Sequence, residues 1–291
     1  GKDAAVVAAD APLERTARGI VWGAFVNSGQ TCASIERVYV ERPLYEPLLE
    51  RLVELTRELK VGDPSQPDTD VGPLTTRGQR EIVARHVESA VAAGARVLTG
   101  GEAPDGPGYF YPPTILVDVN EDMEVMQEET FGPIMPVAPV DSLDEAVERA
   151  NGTRFGLTAS GWTGSRATAQ RLQRDLEAGV VTINDHAVAF GEATGCWGGT
   201  GESGIGRAHG EYGLHELVNV KYVMRDPGND DAMPWYYPYD QEMGEFLGAA
   251  LPMVYGRGLA KVKSLPALAG NKRFWGRVRK GTMLANLHKM L

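Results

Sequence analysis

Short apolar and β-branched runs recur along the whole chain, and the intervals between them carry apolar residues at helical spacing. Ala4 to Ala9 reads as a short buried strand, and Arg37-Val38-Tyr39-Val40-Glu41 alternates like a strand. Arg96–Leu98, Thr114–Val117 and Met135–Val140 follow, and Val180-Val181-Thr182-Ile183-Asn184 reads as a buried parallel strand. Between them, Leu13 to Phe25 predicts a helix, and Leu48, Leu52, Leu55 and Leu59 fall on one helical face. Thr76 to Ala93, stopped by Gly94, and Ala167 to Ala178, ended by Gly179, predict two more, and Ser142 with Glu145 marks the capped start of another. A chain that keeps switching between strand and helix periodicity buries both kinds of face by laying helices on a mostly parallel sheet. The expected class is α/β, and 291 residues leave room for one large domain or two smaller ones.

Cys32 falls at a junction between helix and strand, behind Asn27-Ser28-Gly29-Gln30-Thr31. A small, polar, glycine-containing approach lets the chain turn tightly and leaves backbone N–H groups near the sulfur, where they stabilise a thiolate or a developing oxyanion. The plain alternative is a buried structural cysteine. Cys196 is the only other cysteine, so a disulfide framework is excluded and the cytoplasm is the expected compartment. Glycine is dense from Phe190 to Gly213, which predicts a long, shaped loop. Its Gly204-Ile205-Gly206 has no strand leading in and lacks the third glycine of a dinucleotide turn. Val218 to Val223 alternates like an edge strand available for pairing with another subunit.

The net charge of −10 conceals an asymmetry. Residues 246–291 hold nine Lys and Arg and no Asp or Glu, leaving 20 basic against 39 acidic residues elsewhere. An acidic body argues against nucleic acid as a partner, and the basic tail suits an acidic surface. Trp235-Tyr236-Tyr237-Pro238-Tyr239, with Phe274 and Trp275 among the basic residues, suits peripheral contact with a membrane, or a tail wrapped on its own acidic body or a neighbouring subunit. Phe246 to Tyr255 is too short to span a bilayer and is broken by Pro252.

Five motifs in order carry a resemblance: Gly1-Lys2, Asn27–Cys32, Glu128-Glu129-Thr130-Phe131-Gly132-Pro133, Asn151-Gly152-Thr153-Arg154-Phe155-Gly156-Leu157, and Ser203–Arg207 with Gly210–Leu214. With them the chain resembles the aldehyde dehydrogenase superfamily, and the stretch after Cys32 is most similar to its succinate-semialdehyde-type branch. The resemblance implies a three-layer α/β/α catalytic domain over residues 1–217, an oligomerisation strand over 218–225 and a C-terminal extension over 226–291. It implies that Cys32 attacks a small aldehyde to give a thiohemiacetal, which passes a hydride to NAD or NADP and becomes a thioester released as the acid. The Cys32 backbone N–H would serve the oxyanion, Glu129 would hold the nicotinamide ribose, Phe131 would pack near the nicotinamide ring, and no metal is implied. The family's general base would stand just before Gly1, as would most of the dinucleotide-binding domain. The expectation is therefore the catalytic portion of a longer polypeptide, working as a homo-oligomer or with a partner chain that carries the N-terminal half. Cys196-Trp197-Gly198-Gly199-Thr200-Gly201-Glu202 departs from the family's usual Pro-Phe-Gly-Gly near the aldehyde entrance, where Cys196 is expected to pack. Two alternatives stand beside this reading: a scaffold subunit that keeps the fold, and an acylating dehydrogenase that releases the thioester to coenzyme A.

Overall fold

The computed structural model describes residues 1–186, 188–225 and 241–270. Chain contacts divide it into two compact units, Gly1–Val220 and Lys221–Leu291. In the first, β1 (Asp3–Val7), α1 (Leu13–Phe25), β2 (Ile35–Glu41), α2 (Arg42–Glu58), α3 (Arg77–Ala92), β3 (Arg96–Thr99), β4 (Thr114–Val117), α4 (Glu124–Gln127) and β5 (Ile134–Val140) come first. They are followed by α5 (Leu143–Asn151), β6 (Phe155–Gly156), β7 (Thr158–Trp162), α6 (Arg166–Asp175), β8 (Val180–Ile183), β9 (Thr200–Gly201) and α7 (Gly210–His215).

Seven of the strands form one sheet in the order β3-β4-β5-β2-β1-β7-β8. Every pairing in it is parallel except β3 with β4. Side chains alternate across the sheet and so split the interior in two. Ala5, Val7, Val38, Val40, Ile115, Val117, Met135 and Val137 face α1 and α2, which answer with Ile20, Ala24, Phe25, Leu48 and Leu52. Ala4, Val6, Tyr39, Leu116, Ile134 and Ala138 face the opposite layer, where α3, α4, α5 and α6 supply Val83, Val87, Met126, Ala146 and Leu172. The result is the expected α/β/α stack. Helix starts are fixed as the sequence indicates: Thr76 and Ser142 accept from the amides of Gln79 and Glu145 at 3.1 and 3.2 Å. The return half of the Ser142 box lands one residue early, with Glu145 Oε2 accepting from Asp141 N at 2.7 Å.

One local expectation needs correction, one strand had no sequence signal, and one expected strand lacks a partner among the described residues. β8 is parallel, as expected, but only half-buried, because it ends the sheet and has β7 alone beside it. β7 itself, Thr-Ala-Ser-Gly-Trp, carries little β-branched signal, yet it lies wholly buried between β1 and β8. Residues 218–225, expected as an oligomerisation strand, form no strand: they are exposed and pair with no other strand among the described residues. An extended segment needs a neighbour's N–H and C=O groups to become a strand, and none is offered among the described residues.

In the second unit, α8 (Gln241–Tyr255) and α9 (Leu259–Gly270) pack on each other around a turn at Gly258, whose φ of +57° suits a residue without a side chain. No helix among the described residues is long and apolar enough to cross a membrane. The aromatic run 235–239 and the basic cluster 272–280 lie outside the described residues.

Leu52 is fully buried between α2 and the sheet. Leu52→Ala is expected to lower stability by about 2–5 kcal/mol with the fold retained, measured by urea denaturation; a loss below about 1 kcal/mol would contradict the packing described.

Candidate functional site

Three neighbouring strands, β5, β2 and β1, point the same way, so the segments that lead into them emerge side by side at one edge of the sheet. Lys2 immediately precedes β1, Cys32 precedes β2 by three residues, and Glu129-Thr130-Phe131 precedes β5 by the same interval. Residues far apart in sequence are thus delivered to one place by topology alone.

Glu36, at the head of β2, ties these segments together. Its carboxylate is buried and accepts from Lys2 Nζ at 2.6 Å, Thr130 N at 2.8 Å and Phe131 N at 2.9 Å. Burial pushes the Lys2 ammonium below its ordinary pKa, and the Glu36 charge pulls against that shift. Gln79 of α3 completes the clamp, donating to the carbonyls of Thr130 and Phe131 at 2.8 and 3.2 Å. Held from both sides, Phe131 adopts φ +51°, a conformation a side chain of its size rarely takes without such constraint. His86 adds a further tie, its Nδ1 lying 3.1 Å from Thr130 Oγ1.

The cysteine turn is fixed as firmly. Asn27, Ser28 and Gly29 all have positive φ, of 53°, 59° and 69°. Ser28 Oγ donates to Gly72 O at 2.8 Å, Asn27 and Gln30 bond each other's backbone, and Gln30 Oε1 accepts from Thr75 N and Oγ1. Gly29 must be glycine on two counts, since its φ is positive and a Cβ there would lie 2.2 Å from Gly132 O. Beyond the turn, Ser34 N donates to Thr31 O at 3.0 Å and Ser34 Oγ to Ala24 O at 3.0 Å. The Cys32 thiol stands exposed on this rigid support. Among the described residues its backbone N–H has no acceptor.

The cysteine turn also reaches Gly1, where a Cβ would lie 2.6 Å from the Cys32 carbonyl. Glu129 and Phe131 are both half-buried at this edge. Glu128 turns away into a bidentate pair with Arg154, at 2.8 and 2.6 Å. Cys196, expected to pack, is exposed; its neighbour Trp197 takes the packing position, edge-on to Phe190 at 5.3 Å and buried with Ala33 and Leu157. The glycine-rich segment therefore reaches the residue next to Cys32. It is also less of a loop than expected, since β9 pairs with β6 and Trp197 bridges Ala208.

His186 approaches from another side. Residues 184–186 run beside α1, with Arg15 bonding Asn184 O and Asp185 Oδ2, and the His186 ring lies against Gly23. Nε2 lies 2.6 Å from Ala33 O in a fully buried setting, and burial lowers the pKa to about 4. The groups capable of holding a metal do not gather: no cluster of three His, Cys, Asp or Glu with suitable geometry occurs among the described residues.

The sequence profile described as the aldehyde dehydrogenase family matches residues 1–223. The chain belongs to that family. It is 41% identical over 223 residues to a succinate-semialdehyde dehydrogenase [NADP(+)] of Mycobacterium avium, covering 77% of this chain and 47% of that protein. The corresponding protein of Mycobacterium ulcerans is 39% identical over the same length, covering 48% of its own chain. Among solved structures, lactaldehyde dehydrogenase from Escherichia coli aligns at 42% identity and a TM-score of 0.72, covering 74% of this chain and 45% of that one. An NAD+ complex of the Bacillus cereus aldehyde dehydrogenase aligns at 38% identity and a TM-score of 0.74, covering 76% and 45%. The chain spans about half the length of the curated relatives it matches.

Within this aldehyde dehydrogenase domain, sequence reasoning missed the residues that shape the site rather than those that present chemistry. Lys2, Glu36 and Gln79 are structural to the clamp, and the one signal available was the pair of charges, Glu36-Arg37, at the head of an apolar strand. His186 gave no signal at all.

Two tests follow from these contacts. Glu36→Gln leaves the Lys2 ammonium buried without a counter-charge and is expected to cost about 3–5 kcal/mol; adding Lys2→Met should recover a large part, in chemical denaturation of the two variants. The unfolded chain protonates His186 below its ordinary value of 6.5, the folded chain only below about 4. Stability should therefore fall as pH drops through that window, by on the order of 3 kcal/mol from this ring, and His186→Gln should flatten that part of a stability-against-pH curve.

Proposed function

We propose that this chain supplies the nucleophile-bearing portion of an enzyme that oxidises a small aldehyde to its acid. The observation that carries the reading is an exposed thiol on a turn fixed at both flanks, with an N–H on the same residue that has no acceptor among the described residues, at the same edge of the sheet as the Glu129–Phe131 segment. Cys32 Sγ, as thiolate, attacks the aldehyde carbonyl carbon, forming the C–S bond while the carbonyl electrons move to oxygen. The Cys32 N–H would donate to that oxygen as its charge develops. Splitting the oxidation at a covalent sulfur adduct replaces one difficult step with two easier ones.

The residues present fit a nicotinamide dinucleotide. Glu129 keeps one carboxylate oxygen without a partner among the described residues, which suits a ribose hydroxyl donor, and Phe131 offers a half-buried ring held in a strained but constrained backbone. Such a cofactor, when bound, supplies the acceptor for the hydride. The names of the relatives support both NAD and NADP as candidates and support small aldehydes as the substrate class. The exposed Val218, Val220 and Tyr222 support pairing of residues 218–225 with a second copy.

The test is turnover of the protein that carries this chain, purified from its source, on succinate semialdehyde and on lactaldehyde with NAD+ and with NADP+. Reduced cofactor and free acid are expected, and Cys32→Ala should lower kcat by about 10³-fold or more. Undiminished oxidation in Cys32→Ala would overturn the reading.

A further inference from the structure

One buried polar group near the site has no part in the chemistry above. The His186 ring is 1% exposed, and among the described residues its only hydrogen bond joins Nε2 to the carbonyl of Ala33, the residue after Cys32. Its Nδ1 has no partner among the described residues. A buried unpartnered nitrogen is unfavourable, and a phenylalanine or leucine of similar volume would fill the space without one. What the imidazole adds over an apolar side chain is a single N–H aimed at one peptide group. That peptide is the one through which the cysteine turn passes into β2.

The other fixings of the turn act at different points. Residues 27–30 are held before the cysteine, the Cys32 carbonyl abuts Gly1, and Ser34 is bonded to Thr31 and Ala24. The Ala33 carbonyl lies between them, and among the described residues His186 is its one hydrogen-bond partner. The ring makes no hydrogen bond to the Cys32 sulfur among the described residues, so it acts through the backbone and not on the thiol.

We propose that His186 is a positioning residue for Cys32, its Nε2–H pinning the Ala33 carbonyl so that the turn presents the thiol and its own N–H in one fixed arrangement. The proposal rests on Cys32 being the nucleophile. The low pKa supports it, since a ring that stays neutral near pH 7 keeps a single tautomer with the proton on Nε2.

The experiment compares iodoacetamide alkylation of Cys32 and Cys196 in the full chain, each read by peptide mass spectrometry, with exposed Cys196 as internal reference. In the wild type Cys32 should react about tenfold faster than Cys196 or more. His186→Phe should slow Cys32 by about 3- to 10-fold with Cys196 unchanged, and His186→Gln, which keeps an N–H donor, should restore it to within about 2-fold. Equal rates at the two cysteines in the wild type would sink the nucleophile reading and the proposal with it. A fast Cys32 that His186→Phe leaves unchanged would overturn the positioning role alone. Imidazole ¹⁵N shifts of the wild type decide without any variant: a proton on Nε2 supports the proposal, and a proton on Nδ1 overturns it.

Discussion

A lysine and a glutamate with no access to water face each other at the amino ends of β1 and β2, 2.6 Å apart, and the site is arranged around them. Neither charge could be buried alone: each is tolerable because the other is there and because Glu36 accepts two further amide donors. Those amides belong to the segment entering β5, so the pair fixes three neighbouring strands relative to one another. The same carboxylate that neutralises Lys2 thereby sets the backbone of Thr130 and Phe131.

Open parallel sheets usually present their ligand sites beyond the carboxyl ends of the strands. Here the converging residues stand at the amino ends, and the neighbouring polar contacts explain how that edge is held. Arg37, also buried, donates to Lys2 O at 3.0 and 2.7 Å and to Arg149 O and Ala150 O at the end of α5. Its charge thus meets carbonyls left open at a helix C-terminus, where a cation is favourable. Backbone strain is concentrated at the same edge, at Asn27, Ser28 and Phe131, and each strained residue has side-chain or backbone bonds that account for it.

Much of this was legible in the sequence, and the failures have physical causes. Helix α1 and strand β4 were read with their bounds intact because apolar spacing and flanking turn residues agreed. The motifs holding Cys32, Glu129 and Phe131 stand out in the sequence, and the structure draws their segments to one edge. Alternation marked β2 as a strand but says nothing of where Arg37 points; helices cover both faces of this sheet, and its charge is satisfied by carbonyls. β7 escaped notice because small residues serve where neighbours crowd, as at Gly161 against Leu172 and Ile183. The positions 218–225 carry a strand pattern that finds no pairing among the described residues. The ties through Gln79 and His186 join residues dozens of positions from what they hold, and no local pattern encodes them.

The charged clamp also bears on how the chain folds. Glu36 finds its donors on a segment 94 and 95 residues later and on a lysine 34 residues earlier, so none of these bonds can form locally. Until β1, β2 and β5 have docked, a charged head on β2 favours water and resists burial; once they dock, all three donors engage together. Contacts of such long sequence separation slow the search but make it cooperative. A half-folded chain would therefore lack the rigid turn beneath Cys32, which would come into being only with the finished sheet.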